Sequence, residues 1–311
     1  LVAALALGAT SAFATNGSVL IGTGAKSRGM GGVGIGVSHG AESALANPAL
    51  ITSVENTEIS FGGTFFMPKV KNTNALVGMG AGGTDVSGSS ESDADMNVIP
   101  SVSIASKVND NFYFGLGMWG TAGMGVDYRG AGNTGQMSMV TNLQLMQFGV
   151  PLVYTANNFS VGITPLLQYG SLDINYILPG GMGGTAMGAG VAQDLQFGYN
   201  IGLAYEISDI TIGAVYKSQV DMEYKGVLST VVAPFTAGAG YNNDKLSTPA
   251  EIGIGISYTM KEHTIAFDYK NIQWSKAKGY EDFEWNDQNV YSLGYEYSTS
   301  DWSARLGYNY A

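Results

Sequence analysis

The sequence contains no cysteine and only two histidines, His39 and His263. Without cysteine, thiol catalysis, disulfide scaffolds and cysteine-based zinc sites are excluded. A histidine that activates a nucleophile must lie beside a serine or a similar group. Neither His39, in a glycine-rich stretch, nor His263, in a short turn, has such a setting. We therefore expect a protein that is not an enzyme and that holds no metal and no cofactor.

Charge is scarce as well. Charged residues are 13% of the 311 residues, about half of the roughly 25% that soluble domains carry. The net charge of −11 argues against a nucleic-acid partner, which requires a basic surface. No stretch reaches the ~18 consecutive apolar residues of a transmembrane helix. Disorder is excluded too, because 45% of the residues are hydrophobic and 11% are aromatic.

What the chain has in abundance is glycine, 45 residues, and tyrosine, 18 residues. From Phe197 to Ile207, for example, every second residue is apolar, and most of the residues between them are small or polar. Such period-two alternation predicts β-strands with one apolar face. It predicts eleven strands, near residues 57–67, 98–107, 112–120, 143–155, 159–169, 196–207, 210–217, 250–260, 264–274, 290–298 and 302–310.

The connections between these strands alternate strictly between long and short. The long ones are 68–97, 120–142, 170–196, 218–249 and 275–289, and the short ones are 108–111, 156–158, 208–209, 261–263 and 298–301. A transmembrane barrel sorts its connections in this way, because short turns face the periplasm and long loops face outside. A soluble β-sandwich shows the same alternation within strands but has no reason to sort its loops. The pattern predicts an all-β, antiparallel transmembrane barrel in the bacterial outer membrane.

The two ends of the chain differ from the middle. Residues 1–14 are an apolar run that ends in an A-x-A pattern, which predicts the remnant of a signal peptide. Residues 15–51 are rich in glycine and weakly periodic, and we expect them to enter the lumen as a plug. Residues 52–311 then form the barrel. Because bacterial single-chain barrels have an even number of strands, an odd count leads us to expect a barrel that is incomplete at its C-terminal end.

Several short motifs resemble a known family when they are taken in order along the chain. They are Asn47-Pro48-Ala49, Val150-Pro151-Leu152 with the turn Asn157-Asn158, Tyr216-Lys217-Ser218, Pro249-Ala250-Glu251 and Ile272-Gln273-Trp274-Ser275. In this order they resemble the long-chain fatty-acid and hydrocarbon transporters of the outer membrane (the FadL, TodX and OmpP1 type). The resemblance spans nearly all of the mature chain.

The resemblance implies a monomeric barrel of about fourteen strands, an even number like that of other bacterial barrels. About eleven of these strands are expected in this chain. Asn47, Pro48 and Ala49 are then expected at the end of the plug. The implied function is passive uptake of long-chain fatty acids or other hydrophobic compounds, with outer-membrane lipid and lipopolysaccharide as the surroundings.

A transporter of apolar molecules needs apolar contacts along its route, because apolar surface costs roughly 25 cal/mol per Å² in water. Two outside loops carry suitable side chains, and the resemblance indicates the same loops. The residues are Ile177, Leu178, Met182 and Met187 in the first loop, and Leu228, Val231, Val232 and Phe235 in the second. The alternative is that they only pack against one another as loop cores, and the sequence does not decide between these readings.

Passage into the bilayer also needs an interruption of strand pairing. Gly120, Gly123 and Gly125 end the third strand, where glycine would allow a kink. A fatty acid would further need a cation for its carboxylate, and the candidates are Arg129, Lys217 and Lys225. The strands near 159–169 and 290–298 carry no Lys or Arg, which leaves neutral hydrocarbons or aromatics open as ligands. Two alternatives remain for the function, a structural or adhesive surface protein and a general porin.

Overall fold

The computed structural model describes residues 15–180, 184–236 and 239–311. These residues contain three short α-helices, α1 (Gly24–Gly29), α2 (Ser43–Ala46) and α3 (Val227–Val232). The strands are β1 (Thr15–Asn16), β2 (Val19–Leu20), β3 (Thr57–Phe66), β4 (Lys71–Leu76), β5 (Val86–Glu91), β6 (Asn97–Lys107), β7 (Phe112–Asp127), β8 (Val140–Gly149), β9 (Leu152–Ala156), β10 (Phe159–Leu178), β11 (Thr185–Gly188), β12 (Ala192–Ile207), β13 (Ile210–Lys217), β14 (Glu251–Met260), β15 (His263–Ile272), β16 (Gln288–Ser298) and β17 (Ser303–Tyr310). None of the helices in the described ranges is long and apolar enough to cross a membrane.

Eleven long antiparallel segments form one wall. Their order is β3, β6, β7, the pair β8 and β9, β10, and then β12 to β17. β8 and β9 follow one line along β10 and are separated only at Val150-Pro151. The eleven predicted strands are therefore confirmed, each at its place in the chain. β3 and β17 lie at the two ends of the wall, and α1 contacts both of them.

The two faces of the wall differ sharply in chemistry. Large apolar side chains are exposed on one face of every wall segment, up to 84% for Phe61 and 82% for Phe197. On β10 the residues between them, Ser160, Gly162 and Thr164, face the other way and are buried. Apolar exposure on this scale is not found on soluble monomers. A sandwich would cover this face with a second sheet, whereas here the polar face is the covered one, which excludes the sandwich.

The polar face is covered by the chain from residue 15 to residue 54. This N-terminal segment lies so close to the wall that several wall glycines have no room for a side chain. A Cβ at Gly213 would lie 1.8 Å from the carbonyl oxygen of Ile35, and one at Gly307 would lie 1.8 Å from the amide nitrogen of Gly31. Further glycines in contact with the segment are Gly162, Gly202, Gly255 and Gly294. On this face, glycine thus allows the N-terminal segment to pack directly against the backbone of the wall.

The connections alternate between long and short as predicted. Turns such as Asn157-Asn158 and Ser208-Asp209 are tight, and Asn157, Asn158 and Ser208 have positive φ, which Asn tolerates better than most residues. The long connections are structured. The first contains the hairpin of β4 and β5, and the fourth contains α3. Some strands also extend further into the loops than the alternation predicted, because β7 keeps its pairing with β8 up to Asp127 and the end of β10 pairs with β11.

Candidate functional site

The wall is interrupted between β6 and β7. Their pairing runs from Lys107 opposite Tyr113 to Ser101 opposite Trp119. Beyond this pair β6 continues toward residue 97 beside β3, and β7 continues to Asp127 beside β8, and no described pair joins the two strands there. Pro100 stands at the point of separation and has no N–H to donate to a neighbouring strand. We call this interruption the wall gap.

β7 changes its register at the lower end of the gap. The pairing with β8 shifts between Gly120 and Ala122, so that Thr121 is an extra residue in β7. Such a bulge bends a strand and increases its twist. The N-terminal segment meets β7 just above the bulge, where Val19 of β2 pairs with Ala122 and the amide of Gly123 donates to the carbonyl of Ser18 at 3.2 Å. The short strand β2 therefore covers part of the edge of β7 that β6 does not pair with.

The three predicted glycines all lie along the gap. None of them has a positive φ, so they supply space rather than an unusual backbone conformation. A Cβ at Gly120 would lie 2.5 Å from Cγ2 of Ile99 across the gap, and one at Gly125 would lie 2.6 Å from the carbonyl oxygen of Thr141. Gly123 has the most room, with its nearest neighbour, the carbonyl oxygen of Leu143, at 3.3 Å.

A cavity of about 630 Å³ occupies the gap. Its lining residues come from both faces of the wall. Leu143 and Leu145 are buried on the inner face, whereas Asn142 and Gln144, which alternate with them along β8, are exposed on the outer face. The cavity thus passes through the plane of the sheet. Four methionines also line it, Met96, Met124, Met139 and Met146, and methionine adapts its shape to varied apolar ligands.

The charges at this cavity compensate each other. Among the described residues that line it, Asp127 and Arg129 are the charged ones. The guanidinium of Arg129 donates to both carboxylate oxygens of Asp127, with the shortest distance 2.5 Å from Nη2 to Oδ2. The cavity therefore presents no unpaired cation to a carboxylate. Arg129 is placed at the cavity as a candidate partner for a fatty acid, but its charge is already engaged.

The other two candidate cations lie elsewhere. Lys217 faces the lumen and shares the carboxylate of Glu251 with Lys270, at 3.4 Å and 3.7 Å from Oε2. Lys225 is exposed in the loop before α3. Lys270 and Glu251 were not among the predicted site residues, although their charges within alternating strands were a readable signal.

Of the predicted loop residues, three are buried and three are partly buried. Leu228, Val231 and Val232 on α3 belong to one apolar cluster that also includes Leu143 and Leu145 of the cavity. Leu178, Met187 and Phe235 pack against the same cluster. Ile177 is exposed, at 41%, and Met182 lies outside the described residues. The structure thus places these side chains as loop cores that are continuous with the cavity, and their role in binding stays a prediction.

The Asn47-Pro48-Ala49 motif fastens the N-terminal segment to the wall. Asn47 accepts a hydrogen bond from the amide of Ala49 at 3.1 Å and donates to the carbonyl oxygens of Ile35 and Leu203, at 2.8 Å and 3.1 Å. Pro48 and Ala49 pack against Gly162 and Gly202 of the wall. The contacts with Leu203, Gly162 and Gly202 join the segment to the wall at β10 and β12.

Asp268, which was not among the predicted site residues, provides a second anchor. This buried carboxylate on β15 accepts hydrogen bonds from three successive amides of the segment, those of Gly34, Ile35 and Gly36, at 2.7 Å, 2.8 Å and 3.3 Å. A carboxylate that faces consecutive N–H groups is a strong, charge-assisted contact. The signal was an acidic residue on the inner side of an alternating strand.

The lumen beside the segment leaves little space. A pocket of about 80 Å³ lies between the segment and the wall, and it is lined by polar residues such as Gln147, Asn200 and Lys217 together with apolar ones such as Leu45 and Val215. This volume is far below the roughly 300–1,000 Å³ of sites that hold small organic ligands. The cavity at the wall gap, with about 630 Å³, is thus much larger than this pocket beside the segment.

An antiparallel wall with an apolar outer face, long loops at one end, short turns at the other and a filled lumen defines a bacterial outer-membrane β-barrel protein. The sequence profile of one family, described as outer membrane protein transport protein (OMPP1/FadL/TodX), matches residues 5–311. The chain belongs to this family of outer-membrane transport channels, and the predicted resemblance, barrel fold and outer-membrane location are confirmed.

Individual relatives agree with this assignment. A 47 kDa outer membrane protein of Pasteurella multocida (strain Pm70) is 26% identical over 318 residues, which cover 86% of this chain and 72% of the relative. Among solved structures, a FadL homologue of Pseudomonas aeruginosa superposes with a TM-score of 0.67 at 17% identity, covering 94% of this chain and 81% of its own. The toluene transporter TbuX of Ralstonia pickettii gives a TM-score of 0.66 at 19% identity, covering 93% and 86%. At these identities the structural likeness shows the fold.

Proposed function

We propose that this protein takes up hydrophobic compounds passively across the outer membrane and releases them sideways through the wall gap. The observation that carries the proposal is the 630 Å³ cavity, whose lining residues come from both faces of the wall. An apolar molecule that enters such a cavity exchanges water for protein and then for lipid. Transfer of its surface out of water is favourable by roughly 25 cal/mol per Å², so the route needs no energy input.

The route begins at the outside loops. The apolar cluster beneath α3 is continuous with the inner lining of the cavity, and Tyr176 holds α3 in place by donating to the carbonyl of Val231 at 2.7 Å. A ligand that loosens this packing would meet apolar side chains along the whole way to the gap. In this proposal the loops are therefore the first binding site for the ligand, and Ile177 is the exposed residue that contacts it.

We assign residues 15–51 the role of a plug. Two anchors, Asn47 and Asp268, hold the segment, and the pocket beside it has only about 80 Å³. A hydrophobic compound does not fit this pocket, because sites for small organic ligands have roughly 300–1,000 Å³. The plug thus directs apolar ligands to the gap and closes the lumen to other solutes.

The ligand class supported best is the uncharged hydrocarbon. The carboxylate of a fatty acid would find the Arg129 side chain paired with Asp127, and burial of an unpaired charge is strongly unfavourable. A neutral aromatic or aliphatic molecule meets no such barrier, and methionine sulfur interacts favourably with aromatic rings. The toluene transporters among the similar structures are consistent with this preference. Comparing the uptake of labelled toluene and labelled oleate in the same cells tests it.

The variant Gly123→Val tests the route. The added side chain enters the gap at the position with the most room, 3.3 Å from the nearest atom, so the barrel should fold while passage is narrowed. We expect slower uptake of a labelled hydrocarbon by cells that lack other uptake systems for it. The matched control is Gly63→Val, which places the same side chain on the far side of β6, where the nearest atom is 3.8 Å away. Equal uptake by both variants and the wild type would reject the gap as the route. If the wild type imports neither ligand, a structural role for the barrel is favoured.

A further inference from the structure

The wall gap is closed at its upper end by two loops. β6 begins after the loop that contains the β4–β5 hairpin, and β7 ends at Asp127, where the next long loop begins. The amide of Asp127 donates to Oγ of Ser92 at 2.9 Å, and the amide of Asp93 donates to the carbonyl of Asp127 at 2.8 Å. The two sides of the gap, which separate above Ser101 and Trp119, are therefore joined again at this level.

Further contacts fasten the hairpin to the loop at 128–139. Asn133 donates to Oγ of Ser90 at 3.1 Å, Gln136 donates to the carbonyl of Asn72 at 3.1 Å, and Asn74 donates to the carbonyl of Gly135 at 2.5 Å. Leu76, at the end of β4, is buried in the same apolar cluster as Tyr128 and Met137. These contacts involve side-chain hydrogen bonds and apolar packing rather than strand pairing, so they fix position without closing the gap.

The lower end of the gap is equally well defined. Trp119 is fully buried, and its indole N–H donates to Oγ of Ser103 on β6 at 2.8 Å. Between Trp119 and Asp127, β7 is not paired with β6 over eight residue steps, or on the order of 25 Å at about 3.3 Å per residue. Within this stretch the N-terminal segment contacts β7 at Ala122 and Gly123. The gap is thus a window with fixed ends rather than a slit that is open to the outside.

We propose that the β4–β5 hairpin and the loop at 128–139 form a brace that limits the cross-section of the ligands that pass the window, with Ser92, Asn133 and Gln136 as size-determining residues. This inference rests on the proposed passage through the wall gap. When the brace is intact, β7 is held from above and below, and narrow molecules pass. Loosening the brace lets the upper part of β7 move away from β6 and admits wider molecules.

Ser92 is a residue of the brace that contacts the end of β7 directly through its side chain. The hydroxyl of Ser92 is an acceptor for two amides, those of Asp127 and Ala94, and its own amide donates to the carbonyl of Val70 at 2.8 Å. Removal of the hydroxyl leaves the Asp127 amide without its partner but changes no apolar contact of the cluster. One such hydrogen bond shifts an equilibrium by roughly two- to tenfold. A change of this size in the population of the loosened state is measurable as transport.

The experiment compares a narrow and a wide uncharged ligand, labelled toluene and labelled phenanthrene, in cells that produce the full chain. The variants are Ser92→Ala and the double variant Asn133→Ala with Gln136→Ala. Ser92→Thr keeps the hydroxyl and serves as the rescue, and Ser303→Ala removes a serine hydroxyl at a short turn, far from the window. Heat-modified mobility on a gel shows in each case that the barrel has folded.

We expect the ratio of phenanthrene to toluene uptake to rise by roughly two- to tenfold in the alanine variants, with Ser92→Thr and Ser303→Ala at the wild-type ratio. If toluene enters normally and the ratio is unchanged in folded alanine variants, the brace is overturned while the proposed function stands. If the wild type fails to import toluene and phenanthrene alike, the proposed function fails and the brace with it.

Discussion

Replacement of Asp268 by Asn tests whether the N-terminal segment is a plug held by its anchors. The carboxylate accepts hydrogen bonds from the amides of Gly34, Ile35 and Gly36. An amide of the same shape keeps one acceptor oxygen and turns an NH₂ group toward the remaining N–H. Two charge-assisted hydrogen bonds thus become neutral ones, and a third becomes a clash of donors.

The loss can be estimated from these contacts. Hydrogen bonds to charged groups contribute about 1.5–3 kcal/mol and neutral ones about 1 kcal/mol. Two weakened hydrogen bonds and one lost hydrogen bond should therefore weaken the binding of the segment to the wall by roughly 2.5 to 7 kcal/mol. At 1.4 kcal/mol for each factor of ten, the ratio of released to bound segment rises by at least about 60-fold. The remaining anchor at Asn47 keeps most molecules seated at the lower end of this range.

Two readouts follow this change. Single channels in planar bilayers should show more frequent openings, because a released segment leaves a polar lumen that conducts ions. Trypsin should cleave at Lys26 and Arg28 of α1 faster than in the wild type. The matched control is Asp209→Asn, an exposed turn residue. Conductance and cleavage that stay at wild-type values in Asp268→Asn would refute the anchoring and, with it, the plug.

Two further predictions concern packing and pH. Gly202→Leu should lower the free energy of unfolding of the barrel by about 1–3 kcal/mol, the usual effect of overpacking. The reason is that a Cβ at this position would lie 2.1 Å from Oδ1 of Asn47. A thermal melt followed by circular dichroism measures the change, and an unchanged melting temperature would contradict the close packing. In the loops, burial raises the pKa of Asp221, and hydrogen bonds from Lys278 and neighbouring side chains lower it. The hydrogen bonds together outweigh the burial, so the pKa of Asp221 lies below its ordinary value. The ion pair with Lys278 therefore contributes fully above the ordinary carboxyl pKa of about 4 and is lost as the pH falls below it. Tryptophan fluorescence between pH 6 and pH 3 should report this loosening, and Asp221→Asn should show no such transition; a transition of equal size in that variant would assign it to other groups.

The wall was predictable from the sequence because its pattern is local. Alternation along each strand indicates which residues face lipid. The regular order of long and short connections indicates which end of the barrel faces outside. The glycines opposite the N-terminal segment were visible only as composition. These positions require glycine because they contact residues far apart in the chain, as Gly213 contacts Ile35. No local pattern in the sequence encodes such a contact.

The site was predictable in position but not in chemistry. Gly120, Gly123 and Gly125 were placed at the wall gap, yet the gap itself depends on the divergence of β6 from β7 at Pro100, which is a property of pairing. The loop side chains were identified as apolar, whereas their burial depends on the way α3 packs onto the end of β10. Charge pairing, as between Arg129 and Asp127, likewise follows from a geometry that spacing alone does not fix.

A reversible staple across the wall gap tests the central claim most directly. A Cβ at Gly120 would lie 2.5 Å from Cγ2 of Ile99, so the Cβ atoms of cysteines at the two positions would be at most about 4.0 Å apart, below the upper limit of about 4.5 Å for a disulfide. The chain has no cysteine of its own, so the double variant Ile99→Cys with Gly120→Cys forms this one bridge. We predict that hydrocarbon uptake is reduced in the oxidised variant and restored by a reductant, with the two single variants unaffected by either treatment. Undiminished uptake by the fully oxidised double variant would contradict release through the wall.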